Sequence, residues 1–180
     1  MTSQPYAPGV LGQRWGVTDA EVARRYPCDD LVPAPAVQLW RGVTVQAPAE
    51  QVWPWLRQVR LAPYSYDWVD NLGRRSPREL RDLPDPRPGD PFTRTGGRDA
   101  GTVLSCVPGE HLTAEIMGAV MSYVLVPQGA TTRLLLKVVV RDRRWWTPVL
   151  AVGDWPMARR QLLTLAALAG SGRRGDAPAR

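Results

Sequence analysis

Apolar and polar positions alternate with a period of two through much of the second half of the chain. FTRT (92–95), GTVLSCV (101–107), HLTAEIM (111–117), MSYVLVP (121–127) and TTRLLLKVVVRD (131–142) read as strands. Gly96-Gly97, Pro108-Gly109, Gly118 and Gln128-Gly129 separate them, and connectors that short join antiparallel neighbours. In the last strand Leu134, Leu136, Val138 and Val140 share one face. Arg133, Lys137 and Arg141 share the other with Leu135 and Val139, so one face is expected to be buried and the other partly wet. An earlier strand covers Trp40 to Gln46, with Val43 and Val45 on one face and Thr44 and Gln46 on the opposite one.

Elsewhere the period is helical. Thr18-Asp19-Ala20-Glu21 is a capping box that predicts a short helix to about Arg25. PCDDLVPAPAVQ (27–38), with three prolines, is expected to be extended loop. In APAEQVWPWLRQV (47–59), Pro48 and Glu50 suit a helix start, and Val52, Trp55, Leu56 and Val59 recur at helical spacing. Pro54 is expected to kink this segment into two short helices. PYSYDWVDNLG (63–73) spaces Tyr64 from Trp68 and Asp67 from Asn71 by four, which predicts a short helix closed by Gly73. Ser76-Pro77-Arg78-Glu79 predicts one more short helix, ended by DLPDPRPGD (82–90). Asp154 is the expected cap of a final helix to about Ala169, with Gly170 as its stop. Its apolar stripe is Ala158, Leu162, Leu165, Ala166 and Ala169.

Composition changes this picture little. At 180 residues, 44% hydrophobic and 22% charged, the chain suits one soluble globular domain. Residues 1–14 read as a flexible arm, 15–170 as the domain and 171–180 as a disordered tail. No membrane-length apolar run and no signal-peptide pattern is evident, which points to the cytoplasm. The net charge of +6 comes almost wholly from arginines scattered along the chain, Lys137 being the single lysine; a nucleic-acid surface would cluster them. Cys28 and Cys106 lack metal-ligand spacing and read as reduced thiols, at least one of them buried. With His111 the lone histidine, neither a zinc set nor a Ser-His-Asp triad assembles, and no metal or cofactor is implied. His111 itself reads as a surface turn residue rather than a base.

One strand, two short helices, a meander of strands and a long last helix is the element order of the helix-grip fold. This is an α+β fold in which a curved antiparallel sheet wraps the C-terminal helix. The segments WRGVTVQAPAEQVWPWLRQ (40–58), APYSYDWVDNLGRRSPREL (62–80), GEHLTAEI (109–116) and GDWPMARRQLLTLAALA (153–169) resemble signature segments of SRPBCC proteins. That superfamily is also called START-like or Bet v 1-like and includes polyketide cyclase/dehydrase relatives; the likeness is to an actinobacterial type and spans roughly residues 15–169. It implies a cavity between sheet and helix, and no particular substrate. Two departures stand out. Pro27-Cys28-Asp29 replaces the Pro-Gly-Asp common in such proteins, and the Ala166–Gly170 helix end is smaller and less charged than usual.

Such a cavity would be apolar with a few orienting polar groups. The candidate lining residues are Trp55, Tyr64, Tyr66, Trp68, Tyr123, Trp155 and Leu162, each equally readable as plain core. Arg41 shares parity with Val43 and Val45, so it points inward to a carboxylate (Asp67 or Glu115) or a ligand anion, or else snorkels to water at the strand's open end. Asp67, Asp70 and Asn71 cap turns, bind a hydroxyl, or form an acid/base pair. The expected function is binding of a hydrophobic or aromatic small molecule. The alternative is a cyclase/dehydratase-like enzyme with Arg41 and Asp67 as candidate catalytic groups, assisted by Tyr64 or Tyr123. A nucleic-acid or partner surface on the arginines is the weaker competitor.

Overall fold

The computed structural model of the chain describes residues 12–64, 76–141 and 147–171, with side chains of the last segment from Met157 onward. The strands are β1 (Arg14–Trp15), β2 (Val37–Val45), β3 (Pro91–Thr95), β4 (Arg98–Val107), β5 (His111–Ile116), β6 (Ala119–Gln128) and β7 (Thr131–Val140). The helices are α1 (Asp19–Ala23), α2 (Pro27–Leu31), α3 (Ala49–Arg57), a 3-10 turn over Gln58–Leu61, and α4 (Thr147–Ser171). One seven-stranded sheet runs in the order β1-β2-β7-β6-β5-β4-β3. β1 lies parallel to β2 and every other pair is antiparallel. β3 to β7 are a meander of hairpins. β2 and β3, consecutive in sequence, stand five strands apart, so the chain between them crosses a face of the sheet carrying α3.

The inner face collects Leu39 and Val45 of β2, Leu134, Leu136, Val138 and Val140 of β7, and Tyr123 of β6 against α3 and α4. Val52, Trp55, Leu56 and Val59 are all buried, as the helical period predicts. So are Ala158, Leu162, Leu165 and Ala169 of α4. Each large side chain so buried contributes about 1.5–3 kcal/mol. A β-bulge between Val103 and Ser105 shifts the parity of β4, so that Val103 and Cys106, three apart, both join this inner layer.

The outer face is partly wet, as expected: Arg133 is half-buried and Arg141 exposed, while the N-terminal helices cover the stretch over Leu135, Lys137 and Val139. Tyr26, Cys28 and Val32 pack on Trp40, Val120, Val124, Leu135 and Val139. Two ion pairs fasten this layer. Arg133 donates from Nε to Glu21 Oε1 at 2.7 Å and from Nη2 to Glu21 Oε2 at 2.9 Å. The Lys137 ammonium bonds the Asp29 carboxylate and lies over the rings of Tyr26 and Trp40, at 5.5 and 5.1 Å from their centroids. Gly42 permits the close approach of the N-terminal segment: a Cβ there would stand 2.8 Å from the Arg133 guanidinium and 2.9 Å from Gly16 O.

Four local predictions are corrected. Residues 27–31 are helix, not extended loop. Pro27 takes a first-turn position that needs no N–H, and the Asp29 carboxylate accepts from Tyr26 N at 2.9 Å. Cys28 is helical, so the glycine of the related Pro-Gly-Asp segments is not needed there. Pro54 does not split its helix: α3 runs through it to Arg57 and only then tightens into the 3-10 turn. Its neighbours hold the path, Trp55 in the core and Trp53 donating from Nε1 to Asp85 at 2.7 Å. No helix forms at 76–80. Gln58 takes the backbone there instead, donating to Glu79 O at 3.0 Å and accepting from Arg81 N at 2.8 Å. Finally, α4 begins at Thr147, so Asp154 lies inside it rather than capping it. Thr18 caps α1 as predicted.

Candidate functional site

The candidate residues fall into three groups. Trp55, Tyr123 and Leu162 are buried in the inner layer, and Tyr64 joins them at the end of the 3-10 turn, with a left-handed φ of 57°. Tyr66, Asp67, Trp68, Asp70 and Asn71 lie outside the described residues, as does the side chain of Trp155. Arg41 on β2 points inward as predicted and is fully buried, in one row with Leu136 of β7 and Tyr123 of β6. Its Nη1 donates to Gln13 O at 2.8 Å and Trp40 O at 2.9 Å. Snorkelling to water is therefore overturned. So is Glu115 as its partner: Glu115 pairs with Thr102 and Val120 on β5, and β7 and β6 lie between that strand and β2.

Two buried glutamines, not anticipated from the sequence, organise the tyrosines. Tyr123 Oη donates to Gln161 Oε1 at 2.6 Å, and Gln161 Nε2 donates to Pro63 O at 2.6 Å. Gln58 Nε2 donates to Tyr64 Oη at 2.6 Å. Sheet, α4 and the 3-10 turn are thus linked by neutral hydrogen bonds at the edge of the core. A signal existed. Gln58 stands three after Trp55, and Gln161 stands three after Ala158 and four before Leu165, so both fall on buried helical stripes.

Beside this network a cleft of about 360 Å³ opens. Tyr64, Ser76 and Arg78 form one wall. The other is α4, presenting Arg160, Leu163, Thr164, Ala167 and Leu168. Tyr64 and Leu168 also pack in the inner layer, so the cleft adjoins the core between sheet and helix. The volume lies in the range of small-molecule sites.

The remaining reactive groups lie elsewhere. Burial raises the thiol of Cys28 on the outer side and pushes that of Cys106 up to about 11. His111 starts β5, 3.4 Å from Ser105 Oγ, with its imidazole lowered by burial and partly raised by Glu110. Among the described residues, no helix is long and apolar enough to cross a membrane.

Solved structures share this architecture. A protein from Mesorhizobium loti matches 78% of this chain and 99% of its own, at 16% identity and a TM-score of 0.52. One from Nitrosomonas europaea matches 75% of this chain and 95% of its own, at 14% identity and a TM-score of 0.50. This is the helix-grip fold. A Polyketide_cyc-like protein from Corynebacterium glutamicum is also among the matched structures, with 79% of this chain and 97% of its own covered, 11% identity and a TM-score of 0.46. Identities this low speak for the helix-grip fold and not for a substrate. No family model and no curated protein matches the chain.

Proposed function

We propose that the protein binds a hydrophobic or aromatic small molecule between the inner face of the sheet and α4. The observation that carries this reading is the cleft between α4 and Tyr64, Ser76 and Arg78, which borders the inner layer through Tyr64 and Leu168. Tyr64, Trp55, Tyr123 and Leu162 supply rigid apolar area behind it, and Tyr66, Trp68, Trp155 and Arg41 are kept as further candidate contacts. A cyclase-type reaction has less support. Tyr64 and Tyr123 are engaged with glutamines, and the Arg41 Nη1 donates to the carbonyls of Gln13 and Trp40.

The test is fluorescence titration with an uncharged aromatic probe, 2-naphthalenemethanol. The wild type is expected to bind it. Ala167→Trp, on an exposed position of the cleft wall, should fill the space and abolish binding while leaving the melting temperature unchanged. Absence of wild-type binding, or equal binding by the folded variant, would count against the reading.

A further inference from the structure

Of the residues that line the cleft, Arg78, Arg160, Leu163 and Ala167 are exposed and form its rim. Tyr64 differs from them. It lines the cleft and yet is only 1% exposed, and it belongs to the packed cluster that holds Trp55, Tyr123 and Leu162. Its side chain therefore stands at the bottom of the cleft, with the inner layer behind it. Its backbone is unusual as well. A φ of 57° lies in the left-handed region, which an aromatic residue adopts at a cost and keeps only where its surroundings impose it. Here the restraint comes from two sides. Gln161 of α4 donates to the preceding carbonyl, Pro63 O, at 2.6 Å, and Gln58 donates to the Tyr64 hydroxyl at 2.6 Å. Gln58 is itself fixed between Glu79 O and Arg81 N. A glycine would take the same φ without strain, but it would leave the cleft open toward the inner layer.

We infer that Tyr64 determines the ligand's size by setting the depth of the site. Its ring is the floor that separates the cleft from the inner layer, and the two buried glutamines hold it there. The cleft of about 360 Å³ that remains is at the small end of ligand sites, so the guest is a compact molecule of bicyclic size rather than an extended polycyclic one. This rests on the small-molecule reading above and adds the feature that limits the guest.

Two uncharged probes that differ in ring area test it by calorimetry: 2-naphthalenemethanol and 1-pyrenemethanol. By area alone the pyrene buries more apolar surface and would bind more tightly. The wild type is expected to show the opposite order, favouring the naphthalene by about tenfold, because the larger ring system meets the floor. Tyr64→Gly, which accepts the left-handed φ, should join the cleft to the space the ring vacates and reverse the order. Where that variant fails to fold, Tyr64→Asn, shorter and tolerant of the same backbone, takes its place. Val139→Ala, a buried truncation on the outer face, reports general loosening and should keep the wild-type order. If the wild type binds the pyrene as tightly as the naphthalene, if the folded Tyr64 variant keeps the wild-type order, or if Val139→Ala reverses it too, the depth inference is overturned while small-molecule binding stands. If neither probe binds any of these proteins, both fall together.

Discussion

The Tyr123–Gln161 contact is a buried neutral pair, and its value lies mainly in what happens when half of it is removed. Tyr123→Phe keeps the ring in the inner layer but strips the donor from Gln161 Oε1, leaving a buried carbonyl without its 2.6 Å partner. A loss of about 1–3 kcal/mol in urea denaturation is expected. Gln161→Leu removes the acceptor and also frees Pro63 O. Because the two changes share one hydrogen bond, the double variant should cost less than the sum of the singles; strict additivity would show that the pair is not coupled. Arg41 shows where reading at this scale ends. Strand alternation fixes its inward direction. Its hydrogen bond to Gln13 O depends on the chain before β1 returning beside β2, and two residues of parallel pairing leave no periodic trace in a sequence.

At the level of elements, the strands were legible and the short helices were not, for one physical reason. Each of the five meander strands carries several alternating positions and is bounded by glycine, so local signals agree with the tertiary arrangement. α2 has five residues, too few to be stable alone, and forms because Cys28 and Tyr26 bury against the outer face and Cys28 N donates to Ser122 Oγ at 2.9 Å. Conversely, the capping signal at Ser76–Glu79 loses to the carboxamide of Gln58, which lies 21 positions from Glu79. The cleft itself was not legible, since its walls come from segments some 80–100 positions apart. α2 is therefore an adjustable cover whose attachment can be timed. Glu21 is clamped by Arg133, and Tyr26 Oη donates to Glu21 O at 2.8 Å, so α1 and α2 are held as one layer. Glu21→Gln keeps the shape and removes the charge. It should speed alkylation of Cys28 by roughly fivefold through easier opening of that layer, with little change at Cys106 on the inner side. Equal acceleration of both thiols would mean global destabilisation instead.

The molecule as a whole carries two layers on one sheet, fastened by different chemistry. The inner layer holds mainly by packing and neutral hydrogen bonds, with Arg41 its one charged member among the described residues: Tyr123 to Gln161, Gln58 to Tyr64, Thr93 Oγ1 to Val59 O and Thr132 Oγ1 to Ala47 O. The outer layer depends on carboxylates facing Arg133 and Lys137. Burial raises the Glu21 carboxyl, but the Arg133 hydrogen bond, the Thr18 N–H and the charge of Arg133 outweigh it and hold the carboxyl below its ordinary range. A carboxyl depressed in the folded state stabilises fully above its unfolded pKa, and that contribution disappears as pH falls through the folded value. Acid therefore acts first on the outer layer. The surplus of +6 at neutral pH grows as carboxylates protonate, adding repulsion among the arginines. Hydrogen exchange read by mass spectrometry from pH 6 down to pH 3, corrected for intrinsic rate, should show α1 and α2 losing protection before α4 and β6. The Glu21→Gln protein should already resemble the acid pattern at pH 6. Loss of protection in α4 first, or in all elements together, would mean that the two layers are one cooperative unit and that the ion pairs are incidental to how the outer one is held.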